Sequence, residues 1–143
     1  MSAASQTANN IQLSPAEAFA AIALTAVAAD GYITGSETQI INTTLSRMQL
    51  FSEYSEEQKR SMIDRLFCQI QQQGYNTLME AAITQLPGNL KETVFAIATD
   101  ITLADGELSE EEENLLNALY SSLKIEEEMA TKIIDVMLIK NRG

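Results

Sequence analysis

The chain has no histidine and no tryptophan, a single cysteine, and only 9 Lys and Arg against 20 Asp and Glu. Each shortage removes a class of chemistry. Without histidine there is no Ser-His triad, no ordinary His zinc site, and the commonest general base is missing. Cys68 has no second cysteine to pair with. It stands in an apolar helical pattern with Leu66, Phe67 and Ile70 and is expected in the core. A net charge of −11 argues against nucleic acid, because phosphate binding needs clustered Lys and Arg. It favours cations, basic partners or plain solubility. No Gly-rich phosphate loop and no nucleophile motif is present. The first residues carry no Lys or Arg, so no secretion signal is legible. The longest apolar stretch, Ala18 to Ala29, falls short of the roughly 20 residues that span a bilayer. A soluble cytoplasmic protein is expected.

What remains is helical. With 143 residues, 45% of them apolar, the chain suits one domain with a real core. Residues 1–13 are polar and unpatterned and read as a loose tail, leaving residues 14–143 as the domain. Ser14-Pro15-Ala16-Glu17 combines a capping Ser, a Pro at the first helical position and a Glu that closes a capping box. The helix it opens is apolar on nearly every face through Ala29, which suits the centre of a domain, and its alanines let neighbours approach closely. Gly31 ends it as a left-handed cap. Thr34 and Glu37 open a second helix to about Met48. Ser55 and Gln58 open a third, with Met62, Ile63, Leu66, Phe67 and Ile70 at helical spacing, and Gly74 closes it. A short fourth runs from Asn76 to Pro87-Gly88. Asn89 and Glu92 start a fifth to Ala104, Ser109 and Glu112 a sixth, and Glu126 to Ile139 form a last helix with Ile133, Ile134, Met137 and Leu138 inward. No strand pattern is convincing. The expectation is an all-α single domain of about seven helices.

One pattern occurs twice. Ala29-Asp30-Gly31 is followed by Glu37, and Ala104-Asp105-Gly106 by Glu112, at an offset of 75 residues at both ends. Phe19 to Leu50 laid on Val94 to Ile125 gives nine identities, among them Ala21/Ala96, Asn42/Asn117 and Ser46/Ser121. This reads as an internal, pseudo-two-fold duplication of a helix–turn–helix unit.

The turns of that unit are the candidate site. Asp-Gly followed by a Glu also ends an EF-hand loop, but the positions that begin such a loop are Ala26 and Ala28 in one copy and Ile101 and Leu103 in the other, and these cannot ligate calcium. A working EF-hand is not expected. Glu37 and Glu112 each follow a Thr or Ser cap by three residues, which suits a capping role as well as a ligand role. Asp30 and Asp105 end helices, where the dipole disfavours an anion by about 0.3–1 kcal/mol. A local rule broken twice in the same way suggests function. Two explanations stand side by side: an Asx-type turn, or a bound cation that neutralises the Asp and the helix-end carbonyls. Asp100 lies beside the apolar face of Leu90, Val94, Ile97 and Ile101, so it requires a partner, either a Lys or Arg or the same cation. The runs Glu110–Glu113 and Glu126–Glu128 read as solvated first-turn charges that deepen the negative potential.

The buried Ala-rich helix, the Ala-Asp-Gly turn, the Glu seven residues after the Asp, and the second such unit together resemble the TerB family of tellurite-resistance and stress-response proteins, with related domains in some DnaJ-type co-chaperones. The resemblance covers roughly residues 14 to 140. It implies an all-helical domain with internal pseudo-symmetry, acidic residues that hold a divalent metal, and links to a membrane-associated stress complex. Carried onto this chain, the metal positions are Asp30, Glu37, Asp105 and Glu112, with Asp100 a weaker match. The first copy departs from the second in having Gly35 and Ser36 where the other has Glu110 and Glu111. The resulting expectation is a non-enzymatic domain that binds calcium, magnesium or manganese through carboxylate oxygens and modulates a protein partner. A metal-free acidic interaction module is the alternative, and a metal-dependent hydrolase the least favoured.

Overall fold

The computed structural model describes residues 11–27, 35–103 and 110–142, with backbone only for residues 27 and 35–37. The chain folds as an all-α domain. Among the described residues there are seven α-helices: α1 (Pro15–Val27), α2 (Gly35–Ser46), α3 (Glu56–Gln73), α4 (Tyr75–Gln85), α5 (Lys91–Thr102), α6 (Glu110–Ser122) and α7 (Glu127–Lys140). Two short 3-10 turns, Gln49–Phe51 and Gly88–Leu90, precede α3 and α5.

Helix α1 is the axis of the domain. Every residue from Ala18 to Ala26 is buried, Thr25 included. It packs against α4 and α5 above all, and also against α2, α3 and α6. So many neighbours fit around one helix because five of those nine positions are Ala. Thr25 donates to the Ala21 carbonyl at 2.8 Å, so its hydroxyl is buried without cost in unmet hydrogen bonds. The other helices each turn one stripe to this axis: Ile41 and Leu45 from α2, Met62, Ile63 and Leu66 from α3, Leu78 and Ala82 from α4, Leu116 and Leu119 from α6. Phe51 meets Phe19 edge-on at 6.3 Å, and Phe95 meets Tyr120 at 6.1 Å.

The local signals place the helix ends. Ser14 N–H donates to Glu17 Oε1 at 2.9 Å, and Glu17 N–H donates to Ser14 Oγ at 3.2 Å, a complete capping box. Ser55 and Gln58 make the same box at α3. Gly74 closes α3 with φ 85° and donates its N–H to the Ile70 carbonyl. That dihedral suits glycine and strains any side chain, and α4 begins at the very next residue, Tyr75, rather than at Asn76. Helix α5 starts differently from expectation: no side chain caps it, and Asn89 lies inside the 3-10 turn that leads into Lys91. Helix α6 ends at Ser122 and is closed two residues on by Lys124, φ 60°, where Ile125 N–H reaches the Tyr120 carbonyl and Lys124 N–H that of Ser121, a Schellman closure without glycine.

Three side chains lie elsewhere than the sequence suggests. Cys68 is exposed. Helix α3 buries Leu66 and Ile70, and a residue midway between them, two steps from each, points about 160° away from both. Leu138 is also exposed, because α7 turns Ala130, Ile133 and Ile134 towards the core and leaves Val136, Leu138 and Ile139 outside, with Met137 half-buried. At the other end, Ile11 is buried. Gln85 of α4 donates to its carbonyl at 2.8 Å and accepts from Leu13 N–H at 2.9 Å, so residues 11–13 run against α4.

Candidate functional site at the ends of two helix pairs

The described parts of the helices recur at the spacing of the sequence motif: α1 (Pro15–Val27) lies 75 residues before α5 (Lys91–Thr102), and α2 (Gly35–Ser46) 75 residues before α6 (Glu110–Ser122), to within a residue or so. In each copy the Asp-Gly lies in the sequence between a buried helix and an amphipathic one. Asp30 and Asp105 lie in these stretches, outside the described residues. Glu37 is on α2, with its side chain likewise outside the description. The positions that would begin an EF-hand loop are buried where described: Ala26, Ile101 and Leu103. They are core residues.

Helix electrostatics sharpen the picture. Neither α1 nor α5 has a basic residue in its last turn, so the partial negative charge of each C-terminus meets no intrahelical cation. Helix α6 begins with four glutamates, Glu110 to Glu113, which suit the positive pole of its own dipole. Glu112 among them is half-buried.

Asp100 is the acidic candidate whose surroundings are fully drawn. It lies one turn from the end of α5, its side chain 19% exposed. It accepts from Lys140 Nζ at 3.1 Å and from Asn141 Nδ2 at 2.9 Å, both at the end of α7. The carboxylate beside an apolar face is thus partnered by a lysine, and it ties α7 to α5. A metal at this oxygen would displace Lys140. Among the described residues no three Asp, Glu or Cys side chains come together as a metal-holding group. The donors at the candidate positions are carboxylates throughout, a hard set that fits calcium, magnesium or manganese rather than a thiophilic ion.

A second polar cluster was not singled out in the sequence. Lys59 on α3 is buried and meets Glu56 at 2.7 Å, with Ser46 of α2 as its other partner. Asn42 of α2 donates to the second oxygen of Glu56 at 2.9 Å. Lys59 and Asn42 hold the Glu56 carboxyl below its ordinary value of 4.5. The signal for this cluster was present: a lysine at an inward position of α3, between a capping box and Met62. The cluster fastens α2 to α3, so its work is structural.

No helix among the described residues is long and apolar enough to cross a membrane. No curated protein and no solved structure matches the chain. A family model does: the one described as tellurite resistance protein TerB matches residues 16–134, from the first turn of α1 into the middle of α7. On that match, the all-helical chain belongs to the TerB family.

Proposed function

We propose that this TerB domain binds a divalent cation, Ca²⁺, Mg²⁺ or Mn²⁺, through Asp30, Glu37, Asp105 and Glu112, with Asp100 at the margin. The ion stabilises or switches the two turns and so modulates a protein partner, in the cytoplasm and beside a membrane-associated stress complex. The observation that supports this reading is the acidic motif that follows two buried helices. Each helix leads in the sequence to an Ala-Asp-Gly with a Glu seven residues after the Asp, and neither has a basic residue in its last described turn. A cation there relieves the aspartate and the helix-end carbonyls together. The test is titration of the purified protein with calcium and with manganese by calorimetry, beside the double variant Asp30→Asn, Asp105→Asn. The wild type is expected to bind and to melt higher with the ion, and the variant to lose both responses. Equal responses refute the reading.

A second reading draws on Asp100. That carboxylate is satisfied by Lys140 and Asn141 without any ion. A domain of net charge −11 whose turns are structural would act as an acidic module for a basic partner. Partner affinity that falls steeply with salt, with no specific cation effect, favours this alternative.

A further inference from the structure

Five large apolar side chains are exposed among the described residues: Ile40 on α2, and Met129, Val136, Leu138 and Ile139 on α7. Ile40 lines a groove of about 600 Å³ between α2, α5 and the end of α7. Val136, Leu138 and Ile139 occupy the last stretch of α7, next to Lys140 and Asn141, which also line that groove. Its floor is apolar, made by Met48, Ile97 and Ile101. Its rim is basic. Arg47 is exposed and has no ion-pair partner among the described residues, Lys140 stands opposite, and the exposed Arg142 follows. Among the described residues the carboxylate lining the groove is Asp100, engaged by Lys140 and Asn141. Arg47 and Lys140 thus line an apolar-floored groove of a strongly acidic chain, Lys140 paired with Asp100 and Arg47 without an ion-pair partner among the described residues.

We propose that this groove docks an acidic amphipathic helix of a protein partner. Apolar residues of that helix rest on Ile40, Met48, Ile97 and Ile101, and its carboxylates meet Arg47 and Lys140. A second copy of the chain is a poor occupant. Its most acidic helix, α6, already turns its apolar stripe, Leu116 with Leu119, into its own core. An anionic bilayer is disfavoured by the net charge of −11 and by the concave shape, which fits a ridge of side chains. The inference gives the partner of the proposed function a chemistry and so rests on the domain acting through a partner. It requires no cation.

The experiment is fluorescence anisotropy in EDTA with a designed helical peptide of about five turns, Leu on one face and Glu elsewhere, beside the same peptide with Lys for Glu. The acidic peptide is expected to bind and the basic one not. Arg47→Glu and Ile40→Asp are each expected to weaken binding at least about tenfold, and Arg60→Glu, a remote exposed cation, to leave it unchanged. Asp30→Asn with Asp105→Asn is expected to retain the peptide while losing calcium, which separates this inference from the cation reading. Equal binding of both peptides overturns it, as does indifference to Arg47→Glu in a protein whose melting is normal. It is overturned too if phosphatidylserine vesicles replace the peptide with the same sensitivity to the variants, or if the wild type sediments as a dimer that Ile139→Asp splits.

Discussion

The α1–α2 pair and the α5–α6 pair recur at the same spacing and share residues, yet the same positions do different work. Thr25 in α1 corresponds to Asp100 in α5. The first is fully buried and bonds its own helix, whereas the second leans out to Lys140 and Asn141. Asn42 and Ser46 on α2 hold Glu56 and Lys59, but their counterparts on α6, Asn117 and Ser121, are exposed. Ala21 is wholly enclosed and Ala96 only half-buried. Helix α1 has neighbours on every side, whereas α5 turns Ala96 and Asp100 partly outward. What a repeated residue contributes is set by what packs against it, so identity between the pairs does not transfer energetics.

Exchange at position 25 should give the largest effect. Thr25→Asp places a carboxylate inside α1 with no cation at hand, and is expected to cost about 3–5 kcal/mol in urea unfolding. The reciprocal Asp100→Thr gives up an ion pair whose lysine is 57% exposed. It is expected to cost about 1 kcal/mol or less. Comparable losses would mean that the two pairs are equally enclosed.

Next comes steric room. Ala21→Leu overfills the closest approach around α1 and should cost about 1–3 kcal/mol, while Ala96→Leu should stay within about 1 kcal/mol. Thermal melting of the two variants side by side measures the difference in enclosure directly.

The smallest effect is in acid. Because the Glu56 carboxyl titrates below 4.5 in the folded chain, its stabilising contribution is complete above that pH and is lost as pH falls through the lowered value. Asn42→Ala and Lys59→Met should each flatten this acid limb of the stability curve, and Asn117→Ala should leave it unchanged. An acid limb that responds equally to Asn42→Ala and Asn117→Ala would erase the contrast between α2 and α6.

These contrasts show how far the sequence could be read. Capping boxes at Ser14 and Ser55 and the glycine at 74 are local devices, satisfied within a few residues, and they predicted helix boundaries well. Cys68 and Leu138 were misplaced because an apolar neighbourhood in sequence does not say which side of a helix faces inward. Asp100 was legible as a carboxylate needing a partner. That the partner is Lys140, forty residues away, was not. The expected place of Asp30 and Asp105 at helix ends lies outside the described residues, and Glu37 and Glu112 keep both the cap and the ligand reading. The anchoring of Ile11 by Gln85 had no sequence signal, since nothing local marks which distant helix supplies the hydrogen bonds.

By itself the sequence determined the all-helical class, the order of the helices, the central place of the alanine-rich α1 and the repetition of an acidic turn, because propensity, capping and periodicity act over a few residues. Only the tertiary structure decided that Lys59 is buried against Glu56, that Asp100 is bound to α7, and that Ile40 and Arg47 line one groove with Ile97 and Ile101. Each of these depends on two or three helices meeting, and the geometry of that meeting is fixed by how whole faces pack.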